Sequence, residues 1–77
     1  MRSFLLVYDR LAGKLLDDRE FSERERDEAN RQRFELEHRY RTDPNIEVIV
    51  LTAASREVVE HTHGRYFKTL EELAELA

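Results

Sequence analysis

The chain has 77 residues, no cysteine, 39% charged residues and a net charge of −4, which leaves room for one domain and one core and excludes a disulfide or thiolate–zinc staple. A hydrophobic share of 40%, gathered in blocks between charged stretches, excludes a disordered chain. The near balance of 13 basic and 17 acidic residues favours solubility and speaks against nonspecific attraction to nucleic acid.

The first predicted strand is 3–8. It is apolar on both faces, with Phe4, Leu6 and Tyr8 on one side and Leu5 and Val7 on the other, as in a strand buried in the middle of a sheet. Asp9 to Gly13 reads as a hairpin loop, with Gly13 free to take the left-handed conformation that such loops need. The return strand, 14–21, carries Asp17, Asp18, Arg19 and Glu20, so it belongs at an edge. Asp17 and Asp18 alternate to opposite faces there and make a poor carboxylate pair.

The main helix is predicted over 23–42. Ser22 and Glu25 fit a capping box, and Phe21 before them is placed to pack back onto the helix. Asp27–Arg31, Glu35–Arg39 and Glu37–Arg41 are acid-before-base pairs at i, i+4. Pro44 disfavours helical geometry at Asp43 and stops the helix near Thr42. Ala29, Leu36 and Tyr40 form a thin apolar stripe that also carries Arg26 and Arg33. Phe34 points elsewhere, about 140° around from Ala29. An aromatic off the stripe marks a second contact surface.

After a turn at Asp43-Pro44-Asn45, the third strand is predicted over 46–52, again apolar on both faces. Ser55 is a plausible N-cap for a helix over 56–66, with Val58, Val59, Thr62 and Tyr66 on its apolar face and Gly64 loosening its end. Thr69 and Glu72 open a last helix, 70–76, striped by Leu70, Leu73, Ala74 and Ala77.

These elements predict an α+β domain spanning 1–77 in the order β-β-α-β-α-α, with a three-stranded antiparallel sheet of order 2-1-3. The helices are expected to cover one face. The second apolar face then needs the C-terminal helix or another subunit.

Chemical sites are sparse. Glu60, His61 and His63 are the most ligand-like cluster, but histidines at i and i+2 of a helix diverge and no third ligand is defined. Arg33 and His38 have the R-x4-H spacing of HEPN-type ribonucleases. That likeness covers two residues and an all-helical family, so no function is carried across. The Thr52–Ser55 turn lacks the glycines of a phosphate loop, and Ser55 reads as a cap. The expectation is a non-enzymatic interaction or regulatory module with no cofactor and no metal.

Two surfaces follow. Phe34, His38 and Arg41 are assigned to a partner interface, the partner being a second copy or another protein. The alternative is a nucleic-acid-binding accessory protein that grips its ligand through Arg31, Arg33, Arg39 and Arg41, interleaved with Phe34 and Tyr40. The longest apolar run, Phe4–Tyr8, is too short for a membrane span or a signal segment, so no membrane contact is expected. The absence of cysteine suits a cytoplasmic location. Eleven arginines against two lysines read as the base bias of a bacterial genome.

Overall fold

The computed structural model describes residues 1–67; the expected third helix, 70–76, lies outside the described residues. The elements within that range are β1 (Arg2–Asp9), β2 (Lys14–Phe21), α1 (Arg26–Arg39), β3 (Ile46–Ala53) and α2 (Arg56–Thr62). The sheet is antiparallel with order β2-β1-β3. This matches the expected topology, and the reason is plain in β1. Phe4, Leu5 and Leu6 are 0% exposed, and only a central strand buries both of its faces.

The β1–β2 hairpin turns as its residues dictate. The Asp9 carboxylate accepts the N–H groups of Leu11 and Ala12, each at 3.0 Å, and Gly13 donates its N–H to the Asp9 carbonyl at 2.7 Å. Gly13 sits at φ 66°, in the left-handed region. The register shifts between Val7 and Tyr8, which pair with Asp17 and Leu15, leaving Leu16 as the extra residue of a bulge.

Coverage of the sheet departs from expectation. Helices lie on both faces, not one. Leu5 and Val7 pack with Phe21, Ala29 and Leu36 beneath α1, joined by Tyr40, Ile46, Val48 and Val50. Phe4 and Leu6 pack with Ala53 and Val59 beneath α2, joined by Leu15, Ile49, Leu51, Tyr66 and Phe67. The physical reason is the connection after β3. The turn at Ala54-Ser55 is short, and Ser55 caps α2 by accepting the Val58 N–H at 3.3 Å. Val59 then drops, 0% exposed, onto the face that α1 leaves free.

The helix ends are also tighter than expected. A 3₁₀ turn at Glu23–Glu25 precedes α1, closed by the Glu25 N–H on the Ser22 carbonyl at 3.0 Å. Glu25 returns the favour, its carboxylate accepting the Ser22 N–H at 2.9 Å. That bond, with the Ser22 hydroxyl, holds the Glu25 carboxyl below its ordinary pKa. α1 stops at Arg39, three residues early. Tyr40 leaves the helix and its carbonyl accepts the Asp43 N–H at 2.9 Å, beginning the turn into β3. α2 ends at Thr62, and a separate 3₁₀ turn, Gly64–Tyr66, follows. The break falls at His63, whose ψ of 42° is not helical.

The ion pairs of α1 differ from the expected set. Arg31 lies between Glu28 and Glu35 and bonds both, while Arg33 meets Glu37 at 3.5 Å. The same helical spacing serves an arginine reaching either way along the helix, and Arg31 reaches both ways.

Candidate interaction surface

The charged edge of the sheet is closed off by its own side chains. On β2, Arg19 bonds Asp17 at 2.8 Å on the α1 side, and Asp18 takes both Nη atoms of Arg56, at 2.7 and 3.0 Å, on the α2 side. Glu20 accepts from Arg2 at 2.5 Å and from Arg56 at 3.2 Å. Asp17 and Asp18 therefore serve opposite faces.

The other edge is different in kind. Beyond the last β1–β3 pair, Asp9↔Ile46, the Arg10 N–H donates to the Asn45 carbonyl at 2.8 Å. Backbone direction alternates along an antiparallel ladder. Glu47, Ile49, Leu51 and Ala53 accordingly turn their N–H and C=O groups toward β1. Ile46, Val48, Val50 and Thr52 turn theirs outward. The Ile46 N–H is met locally by the Asp43 carbonyl at 3.3 Å. Among the described residues no strand pairs with the outer edge of β3.

Phe34 lies on the outer surface of α1, on the β3 side of the helix. α1 packs chiefly on β3 and β1, and Gln32 leans toward β2, where its Oε1 accepts from Arg19 at 2.7 Å. Phe34, two residues on, falls about 160° around the helix from Gln32, on the flank facing β3. It is 62% exposed. Arg33 lies at 5.2 Å over its ring, and the enclosed Arg33 Nε has no well-formed hydrogen bond. His38, four residues further on, is exposed on the same side of α1, and Arg41 is exposed in the turn beyond the helix end. Sequence spacing thus puts Phe34 and His38 on one side of α1, with Arg41 past the helix end. What it missed is the outward row Val48, Val50 and Thr52. The signal was available: once strand one is central, an apolar strand three must lie at an edge.

The four arginines considered for nucleic acid do not converge. Arg31, Arg33 and Arg39 project around most of the circumference of α1, Arg41 lies beyond its end, and Arg31 and Arg33 are occupied by neighbouring glutamates. Elsewhere, Glu60 and His61 are exposed, and His63 Nδ1 is 2.9 Å from the Thr62 hydroxyl. Among the described residues no three His, Asp or Glu side chains group as a metal site.

One polar cluster pins the turn after α2 to the sheet. Glu47 accepts from the Tyr66 hydroxyl and from Arg10 Nε at 3.0 Å, with Arg65 at 3.8 Å. The Tyr66 bond, then Arg10, hold its carboxyl below the ordinary range. Burial, then Glu47, push the Tyr66 hydroxyl up. Tyr66 also meets Tyr8 edge to face at 5.1 Å. Every polar group here has a protein partner, so the cluster is a structural pin.

No protein-family model, curated protein or solved structure matches the chain. The fold and surface define a small α+β layered domain with one charged and one apolar sheet edge. Among the described residues no helix is long and apolar enough to cross a membrane.

Proposed function

We propose that the chain is a non-enzymatic protein-interaction module that self-associates, acting in the cytoplasm. The observation that carries this reading is Phe34, 62% exposed on the β3 side of α1, together with an outer β3 edge that no strand pairs with among the described residues. A large exposed aromatic and an open apolar edge are poor surfaces to leave in water and good ones to bury against protein. The spread of arginines around α1 and their pairing with glutamates supports this reading over nucleic-acid contact.

Sedimentation velocity across micromolar concentrations tests it. The expected result is a concentration-dependent shift from monomer to dimer. A strict monomer throughout would overturn the proposal.

A further inference from the structure

Resting on that self-association, we infer that two copies pair through their β3 strands, antiparallel about a two-fold axis at Ile49, to form one continuous six-stranded sheet.

The argument begins with register. The outward backbone groups belong to Ile46, Val48, Val50 and Thr52. A two-fold at Ile49 sets Val48 against Val50 of the second copy, and Ile46 against Thr52. Val48 and Val50 then exchange both backbone hydrogen bonds, and the Thr52 N–H faces the Ile46 carbonyl, while the Ile46 N–H keeps its Asp43 partner. Registers centred on Val48 or Val50 leave a strand end overhanging. The side chains agree with this register. Val48 and Val50 face each other as a β-branched pair on the α1 side, the kind of cross-strand contact that stabilises sheets. Ile49 meets its own copy on the α2 side. Glu47, the one charge within β3, falls opposite Leu51 and meets no like charge. It is already satisfied by Tyr66 and Arg10.

The helices fit the same axis. α1 runs antiparallel to β3. Its first residue, Arg26, lines a small cavity with Thr52, and its far end joins Ile46 through Asp43. Phe34 is midway along α1 and Ile49 midway along β3, so the ring stands level with the axis. Strands lie roughly 4.8 Å apart. A helix seated between β1 and β3 is then roughly 10 Å from its symmetry copy, near the spacing of packed helices. Phe34 projects into that gap from both sides, with Arg33 stacked on its ring. A second copy is therefore the occupant of this edge: it brings an equal apolar strand, whose one charge meets Leu51, and a matching helix. The β2 edge offers no equivalent, being lined by the Asp17–Arg19 and Asp18–Arg56 pairs.

The chain has no cysteine, which makes single-cysteine variants direct reporters. Ile49→Cys should form an intermolecular disulfide on mild oxidation, because facing residues at a non-hydrogen-bonded pair bring their Cβ atoms within bonding reach. Leu16→Cys, on the β2 edge, should not. Val50→Pro removes an outward N–H, a place where an edge strand tolerates proline. It should remain folded by circular dichroism and weaken dimerisation about tenfold or more. A wild-type dimer with neither crosslinking of Ile49→Cys nor weakening by Val50→Pro overturns the β3 pairing and leaves self-association through another surface. A wild-type monomer that instead takes up an extended peptide along β3 overturns both readings.

Discussion

At the scale of single residues, two positions carry conformational or electrostatic consequences that are directly measurable. Gly13 occupies the left-handed region with φ 66°, where a Cβ crowds the following carbonyl. Gly13→Ala is expected to cost about 1–2 kcal/mol in urea unfolding. Glu28 is held at about 2, against an ordinary 4.5, by hydrogen bonds from Arg31 and then Gln32. A carboxylate with a depressed folded value stabilises the fold fully above its unfolded value and loses that contribution as pH falls toward the folded one. Melting temperature should therefore decline between pH 4.5 and about 2, and Glu28→Gln should flatten part of that decline. Phe34 gives the opposite result in dilute solution. Because it is 62% exposed, Phe34→Ala should change the stability of the monomer by less than about 0.5 kcal/mol. Its effect should appear only in self-association.

At the scale of elements, α2 is the part that sequence spacing misjudged most. It is only seven residues long, below the length at which a helix in water is stable by itself. Its order comes from Val59, buried under the sheet beside Phe4 and Leu6, and from the Glu47–Tyr66 pin that follows it. Phe4→Ala should cost about 3–5 kcal/mol through the cavity left between sheet and helix. Tyr66→Phe should leave the strands protected in hydrogen exchange while the amides of α2 exchange faster, because it removes the pin and little apolar contact. Equal loss of protection across all elements would show that the pin is not local. α1 differs from α2. Few of its residues reach the core, and its arginine–glutamate pairs are solvent-accessible, so water and salt screen them. Its position is set by Ala29, Leu36 and Tyr40.

At the scale of the whole molecule, the two sheet edges divide the surface into a side that repels pairing and a side that invites it. On β2, charged side chains from β1, β2 and α2 interlock. On β3, the outward row is Val48, Val50 and Thr52. If association shares its free energy with folding, the melting temperature should rise with protein concentration, since a dimer draws the equilibrium toward the folded state by mass action. A melting temperature constant over a hundredfold range of concentration would argue against that coupling.

What the amino-acid order determined by itself was local and periodic. The unbroken apolar run Phe4–Tyr8 required a central strand, charges in Asp17–Glu20 required an edge, and Gly13, Ser22, Pro44 and Ser55 punctuated the chain where short-range hydrogen bonds demand it. These signals depend on neighbours within a few residues, so spacing alone reveals them. The side of the sheet that α2 takes depends on groups far apart in sequence. Arg19 meeting Gln32, Tyr66 meeting Glu47 and Val59 meeting Leu6 have no trace in local periodicity. Only the packed structure decided them, because each is settled by which surface remains free once the preceding element has docked.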